Sequence, residues 1–216
     1  MCIRDSLRTA HKNEVQIAIH AIGDKANADA LEWMRQATGA DAQPRWRVEH
    51  AQVLRSAEIS QFGETGIIAS MQPSHAIGDL KFAPSRLGTE RLAGAYAWKS
   101  VLDAGGVIVG GSDAPVEVGS PLIEFYAAVA RKTLEGTSGD GWHPEQAVSR
   151  EQALAMFTRA PAFASFQEET LGTLEVGKWA DLSVFDRDLM TVPEAEILEA
   201  QAVATVVAGN VVWEAE

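Results

Sequence analysis

The sequence predicts an α/β fold in which buried parallel strands alternate with helices. Three short stretches that contain strand-forming hydrophobic residues are typical of such strands, and they end at His20, His50 and Asp113. A helical pattern follows each run, which favours βα units and a parallel sheet. Because catalytic groups of α/β barrels lie where the strands end, we expect these three side chains to meet at one rim.

The side chains at these strand ends indicate metal chemistry. Imidazole and carboxylate groups together suit zinc or a related divalent metal, so we predict His20, His50 and Asp113 as metal ligands. Taken singly, each histidine is more simply a core or loop residue, and Asp113 could cap a turn before Pro115. A bound metal lowers the pKa of water from about 15.7 towards 7. Asp113 is therefore also the predicted catalytic residue, accepting the proton of the attacking water and returning it to the leaving group.

Composition excludes several classes of partner. The chain has 216 residues, whereas a complete (β/α)8 barrel typically needs about 250. With 18 basic and 30 acidic residues the formal charge is -12, which argues against nucleic acid and anionic membranes as partners. Cys2 is the only cysteine, so no intrachain disulfide can form and a reducing cytoplasm is the expected location. No apolar run approaches the roughly 18 residues of a membrane span, and the start of the chain lacks the apolar region of a signal peptide.

Local patterns predict the remaining elements. Asp24 is expected to cap a helix over residues 25–36, and the segment 76–87 is expected to be a long loop at the rim. Ser149 with Gln152 has the pattern of a capping box. The other expected elements are helices over 56–63, 90–102 and 122–134, a strand over 66–71, a glycine-rich loop over 136–144, short strands within 171–185, and a hairpin that turns at residues 209–210.

Four short segments carry a family resemblance. In chain order they are residues 19–24 (IHAIGD), 48–52 (VEHAQ), 70–75 (SMQPSH) and 111–115 (GSDAP). Their order and spacing resemble the amidohydrolase superfamily, and within it amidohydrolase family 3, which includes N-substituted formamide deformylases. The resemblance runs from about residue 14 to 214. It implies a metal-dependent hydrolase of carbon–nitrogen bonds other than peptide bonds, with one or two metal ions, zinc being the expected metal, and a small-molecule amide as substrate.

The same resemblance implies that part of the superfamily's site lies outside this chain. Members of the superfamily have a His-x-His pair after the first barrel strand and a lysine or glutamate near the fourth. The five histidines here are never separated by a single residue. The strand ending at His20 therefore resembles the fifth strand, and we expect the C-terminal half of a (β/α)8 barrel (strands five to eight) plus part of a small β-sandwich. The expected divisions are a non-family leader and helix end (1–13), a partial barrel (14–165) and a partial sandwich (166–216), with the fragment inactive by itself.

The resemblance also places His75 and Gln72 near the substrate, although a structural role in the loop after Pro73 is an equal alternative. Glu49 precedes His50 and is expected on the opposite face of the strand, in an ion pair. His11 is expected at the surface, and His143 in an exposed rim loop.

The sequence leaves two rival functions. A non-catalytic half-barrel that binds a small molecule or a partner chain agrees with the missing His-x-His pair. Separately, self-association into a homo-oligomer is expected, because the strands of a half-barrel lose their neighbours. A nucleotide-binding domain would need a phosphate loop, and neither Gly105-Gly106 nor Gly110-Gly111 is followed by the required lysine or glycine pattern. The sequence therefore favours a hydrolase and leaves the half-barrel binder as its alternative.

Overall fold

A computed structural model describes residues 3–39 and 44–216 and shows an α/β fold with two separate sheets. Four parallel strands form the first sheet in the order β1-β2-β3-β4, so each strand pairs with the next one along the chain. Three antiparallel strands form the second sheet in the order β5-β6-β7. The strands are β1 (Ala18–Ala21), β2 (Arg47–His50), β3 (Ile68–Met71), β4 (Ile108–Gly110), β5 (Leu182–Phe185), β6 (Ala202–Val207) and β7 (Asn210–Glu214).

Helices connect the parallel strands and continue beyond β4. Those before or between the parallel strands are α1 (Ile3–Lys12), α2 (Asp24–Thr38), α3 (Ser56–Thr65), α4 (Pro73–Asp79), α5 (Ala83–Leu92) and α6 (Trp98–Asp103). Those after β4 are α7 (Pro121–Ala130), a 3-10 turn (Pro144–Gln146), α8 (Arg150–Phe157), α9 (Arg159–Ala164) and α10 (Glu194–Ile197). None of the helices in the described ranges is both long and apolar enough to cross a membrane.

The parallel sheet has one covered face and one open face. Val48, Ala69 and Ile108 lie in register on the covered face and are at most 1% exposed. Helical residues such as Leu31 and Phe62 belong to the same hydrophobic core. On the other face the register row of His20 continues through side chains that are only half-buried (Glu49, Ser70 and Val109). This alternation follows from the two-residue period of a strand.

Glycine at the end of β4 allows close packing. A Cβ atom at Gly110 would collide with the ring of Phe157 in α8, whereas one at Gly111 would meet open space. The absence of a side chain at Gly110 therefore lets β4 pack directly against Phe157.

The expected loop over residues 76–87 is wrong, because α4 and α5 occupy most of it. A proline lies in the first turn of each helix, where its missing N–H needs no partner and its fixed φ favours a helix. The expected helix over 90–102 is two helices, with Tyr96 at φ +52° between them. The expected helix to residue 134 ends at Ala130 because Arg131 adopts a left-handed conformation.

Other local predictions had mixed outcomes. Asp24 does not cap α2: the N-cap is Gly23, and the Asp24 carboxylate instead pairs with Arg91 through two contacts of 3.0 Å. The capping box of Ser149 and Gln152 is confirmed, as is the β6–β7 hairpin. Between residues 171 and 185 only β5 is a strand.

Candidate metal and active site

Four of the five predicted site side chains lie at or just beyond the carboxyl ends of four consecutive parallel strands. His20 is in β1, His50 ends β2, His75 is in α4 directly after β3, and Asp113 follows β4. The ring centroids of His20 and His50 are 4.5 Å apart, and those of His50 and His75 are 5.7 Å apart. His75 Nε2 lies 3.9 Å from Asp113 Oδ2. The structure therefore brings the four side chains together along one rim of the sheet.

The backbone of His50 explains why its ring meets that of His20. In the parallel register His20 pairs with Glu49, and His50 pairs with Ala21. Regular alternation would thus place the His50 side chain on the covered face, away from His20. His50 instead has φ +72°, roughly half a turn from the extended value of about −120°. Because Cβ rotates with φ about the N–Cα bond, this angle turns the imidazole towards His20.

The left-handed conformation recurs at the site. Ala51 has φ +45° and Asp113 has φ +56°, so two of the candidate ligands and a direct neighbour carry positive φ. Such a conformation costs a non-glycine residue roughly 1–3 kcal/mol and persists only where surrounding contacts hold it. Three of the eleven non-glycine residues that have positive φ in the described ranges therefore lie at the candidate site.

The electrostatic setting favours a neutral imidazole at His50. The residue is 8% exposed, and its Nδ1 has no hydrogen-bond partner within residues 3–39 and 44–216. Burial lowers the pKa of His50 below its ordinary value of 6.5, the neighbouring His20 lowers it further, and Asp113 opposes the shift. A neutral ring with a free nitrogen is the form that binds a metal.

The donor chemistry fits a zinc-type metal, but the number of donors is incomplete. His20 and His50 offer imidazole nitrogens, and His50 Nδ1 is a buried polar atom without a partner in the described chain. Across the described residues, however, no group of three or more His, Cys, Asp or Glu side chains could hold a metal ion. A structural zinc site has four protein ligands and a catalytic one has three. The two histidines and Asp113 thus fit part of a metal site.

Asp113 and His75 face each other across a gap. Their separation of 3.9 Å is too long for a direct hydrogen bond, and the Asp113 side chain is 39% exposed. His75 Nε2 is buried and has no hydrogen-bond partner in the parts of the chain described. Gln72 is also buried and starts α4, its amide donating a long bond of 3.4 Å to Ser70 O. An exposed carboxylate beside a free imidazole nitrogen can exchange protons with a molecule placed between them.

The other predicted polar residues have structural contacts. Glu49 forms the expected ion pair, its partner being Arg47 at 2.9 Å. His143 Nδ1 lies 2.9 Å from Glu145 Oε1 in the glycine-rich loop. His11 is half-buried and packs edge-on against Trp46, so its expected surface position is only partly correct.

The sequence did not predict a role for two groups that lie beside the site. Glu124 of α7 is 1% exposed, and its Oε2 accepts a hydrogen bond of 2.9 Å from Ser74 N, next to His75. Burial raises the pKa of Glu124. Gln52 is linked to Asp79 and Tyr96 by side-chain hydrogen bonds. Gln52 gave a sequence signal because it lies in the VEHAQ segment. Glu124, Asp79 and Tyr96 gave none, because their positions beside the site depend on contacts between distant segments.

A cavity of about 160 Å³ lies beside the site and not within it. Its walls come from α4, from the loop that follows Asp113 and from the segment after α7, and they include Ile77, Val118 and Leu134. None of the five predicted site residues lines it. The chemistry is therefore expected at the open rim, where the histidines and Asp113 lie.

Comparison with known proteins identifies the family. A family model described as "Amidohydrolase family" matches residues 2–213, almost the entire chain. The chain belongs to the amidohydrolase family. This confirms the resemblance inferred from the four short segments, and the matched region of this amidohydrolase chain also includes α1.

Individual relatives of this amidohydrolase chain extend well beyond it. It is 32% identical over 216 residues to an N-substituted formamide deformylase of Arthrobacter pascens, covering 98% of this chain and 39% of the relative. It is 34% identical over 204 residues to the protein LONG AFTER FAR-RED 3 of Arabidopsis thaliana, covering 93% and 34%. The amidohydrolase chain thus spans little more than a third of these relatives.

A solved structure supports the same fold. An uncharacterized metal-dependent hydrolase from Pyrococcus horikoshii OT3 superposes with a TM-score of 0.76 at 28% identity, covering 90% of this amidohydrolase chain and 39% of that one. The chain therefore shares its α/β architecture with a metal-dependent hydrolase.

Proposed function

We propose that this chain supplies the C-terminal half of the active site of a metal-dependent hydrolase that cleaves carbon–nitrogen bonds other than peptide bonds. The observation that carries the proposal is the adjacency of His20 and His50 at the ends of neighbouring strands, with Asp113 and His75 beside them. Family membership supports hydrolysis, and the half-barrel architecture is part of the proposal.

His20, His50 and Asp113 would hold the metal, which the donor types suggest is zinc. When bound, a divalent metal polarises a carbonyl oxygen and makes water acidic at neutral pH. The remaining ligands, for one or two ions, would come from residues outside the described chain, since no three-ligand group occurs within it.

The side chains of this chain would then orient the substrate and move a proton. The half-exposed carboxylate of Asp113 would accept a proton from the attacking water and deliver it to the departing nitrogen. His75 Nε2, buried and free, would donate a hydrogen bond to the substrate carbonyl oxygen when that nitrogen carries the proton. Gln72, at the start of the helix bearing His75, would contact the substrate through its amide.

The proposed substrate is a small amide of the N-substituted amide or formamide type. The deformylase from Arthrobacter pascens supports that class by its similarity over 98% of this chain. The net charge of -12 supports a small molecule and opposes nucleic acid or an anionic membrane as partner. We place the protein in the cytoplasm as part of the same proposal.

The DNA upstream of this coding segment provides the first test, because we expect it to encode a His-x-His pair in the same reading frame. A reading frame without that pair would favour the second candidate, a half-barrel that binds a small molecule or another chain without catalysis, which the incomplete ligand set in the described residues also supports.

Asp113→Asn tests the proposed proton transfer in a protein that contains both this chain and the His-x-His segment. Asparagine also tolerates the left-handed conformation seen at Asp113, so the substitution changes charge without adding backbone strain. We expect release of amine from an N-substituted formamide to slow by roughly 10²–10⁴ while most of the metal remains. Asp140→Asn, in the glycine-rich loop, is the matched control. Near-normal turnover of the Asp113 variant would contradict the assigned role.

A further inference from the structure

We propose that Gln52, Asp79 and Tyr96, here named the Gln52 cluster, are positioning residues that hold the left-handed turn at His50 and align its imidazole with His20 and His75. The inference rests on the proposed function, because it assigns this alignment to the same metal site. It adds a group that acts on the site through the backbone and not by contact with a ligand or substrate.

The three side chains of the Gln52 cluster form a closed set of hydrogen bonds. Gln52 Nε2 donates to Asp79 Oδ2 at 2.8 Å and to Tyr96 Oη at 2.7 Å. Tyr96 Oη donates in turn to the same Asp79 oxygen at 2.5 Å. Tyr96 is 3% exposed, and burial together with Asp79 raises its pKa, so its hydroxyl stays protonated and remains a donor. Both hydrogens of the Gln52 amide and the hydroxyl hydrogen thus have acceptors.

Backbone hydrogen bonds also fix the segment that follows His50. Tyr96 N donates to Gln52 O at 2.7 Å, and Leu54 N donates to Gly94 O at 2.8 Å. Val53 pairs with Ala95 in an isolated antiparallel bridge. The chain that leaves the strained pair His50–Ala51 is therefore fixed within three residues against the segment between α5 and α6.

The Gln52 cluster also reaches the helix that carries His75. Asp79 is the last residue of α4, and His75 lies one helical turn before it. The hydrogen bonds between Gln52 and Asp79 thus join the residues that follow His50 to the helix bearing His75. The ring planes of His50 and His75 are nearly parallel, with an interplanar angle of 12°, and each ring belongs to one of the two segments that these hydrogen bonds join. Loss of the cluster should therefore change the orientation of His50 relative to His75.

The experiment compares five forms of the chain, by NMR of the histidine rings in the 216-residue chain and by Zn²⁺ titration calorimetry in a protein that joins it to the His-x-His segment. They are the unmodified chain, Tyr96→Phe, Asp79→Leu, Asp79→Asn and Tyr126→Phe. Asparagine at position 79 keeps an oxygen that can accept both hydrogen bonds, so it is the rescue variant. Tyr126→Phe is the matched control, because its buried hydroxyl donates to Thr133 O at 3.1 Å outside the cluster.

We expect Tyr96→Phe and Asp79→Leu to move the ring resonances of His50 in the metal-free chain and to weaken Zn²⁺ binding by about 10–100-fold. Asp79→Asn should restore both, and Tyr126→Phe should change neither. Unmoved His50 resonances in the two disrupting variants, or an equal effect of Tyr126→Phe, would overturn the positioning role. If the protein that joins this chain to the His-x-His segment binds no Zn²⁺, the proposed function fails, while the ring resonances of the metal-free 216-residue chain still decide whether the cluster positions His50.

Discussion

The φ angle of His50 connects backbone conformation with site chemistry. At +72° it directs the ring towards His20, within 4.5 Å, on a residue that remains 8% exposed. The ring is then both close to a second imidazole and removed from water, and each of these conditions disfavours a proton on it. His50 is therefore prepared as a neutral ligand by its conformation as well as by its residue type.

The lowered pKa of His50 predicts a pH dependence of stability. The folded-state pKa lies below the ordinary value of 6.5, so the unfolded chain takes up this proton first as the pH falls. The contribution to folding stability is fully present above the unfolded pKa and is lost as the pH falls towards the folded pKa. NMR titration should give a midpoint below 6.5 for His50, and His50→Asn should remove this part of the pH dependence of unfolding. A midpoint above 6.5 would contradict the burial argument.

Sequence reasoning predicted that the candidate site residues meet at one rim, but it did not predict their orientation. His20, His50 and Asp113 could be predicted because hydrophobic runs end at each of them, and parallel strands share one carboxyl edge. The two-residue alternation of a strand would have separated His50 from His20. The segment that follows the left-handed His50 contacts residues more than 40 positions away, such as Tyr96, and no local sequence pattern records those contacts.

At the scale of elements, α4 is held at both ends. Glu124 of α7 accepts a hydrogen bond from Ser74 N at its start, and Asp79 at its end bonds to Gln52 and Tyr96. The helix therefore presents His75 from a fixed position between β3 and α7.

Two substitutions of Glu124 should distinguish the contribution of its hydrogen bond to stability from the contribution of its charge. Burial raises the pKa of Glu124, so the carboxylate form is disfavoured and its stability contribution falls as the pH rises through and above the ordinary value. Glu124→Gln keeps an acceptor for Ser74 N, and we expect unchanged or higher stability at neutral pH. Glu124→Ala leaves that N–H unpaired and should cost about 1–3 kcal/mol. Chemical denaturation of both variants checks this, and equal losses would contradict it.

Secondary-structure elements were predictable where hydrophobic period and capping residues agreed. The four parallel strands and the Ser149 capping box are examples. Helices α4 and α5 lie where the sequence predicts a loop over 76–87, because prolines and glycines such as those of this segment are typical of loops. In the structure each proline occupies a first helical turn, and tertiary packing of α4 against α7 stabilises a short helix that has little local preference of its own.

At the scale of the molecule, two exposed features favour self-association. Within the described residues β1 and β4 are the edge strands of the parallel sheet, and each offers unpaired backbone groups on one side. The β7 strand also exposes apolar side chains, with Val211 at 60%, Val212 at 59% and Trp213 at 49%. The net charge of -12 opposes association through repulsion but satisfies none of these backbone groups.

We therefore predict that the 216-residue chain self-associates, and more so as salt screens its charge. Screening shortens the electrostatic range to about 8–10 Å near physiological ionic strength. Size-exclusion chromatography with light scattering should show a mass that rises with protein and salt concentration. Val212→Lys should reduce the rise if β7 takes part. A monodisperse monomer under all conditions would count against the prediction.

The family could be inferred from sequence because its motifs keep their order through the chain, from His20 to Asp113. The antiparallel sheet was only partly predictable: the β6–β7 hairpin has a clear turn, whereas residues 171–181 form no strand despite alternating apolar residues. Strand formation there depends on pairing partners, which a single segment does not specify.

Zinc stoichiometry tests the central claim, that His20 and His50 bind one metal ion together. A protein that contains both this chain and the His-x-His segment, its variants His20→Asn and His50→Asn, and the control His143→Asn would be dialysed against Zn²⁺ and analysed for bound metal. Asparagine tolerates the left-handed conformation of His50, so the loss of the imidazole is not confounded with strain. We predict about one Zn²⁺ per chain in the unmodified protein and the control, and a large loss in either site variant, because each removes a full coordination bond. Unchanged stoichiometry in both site variants would contradict the assignment.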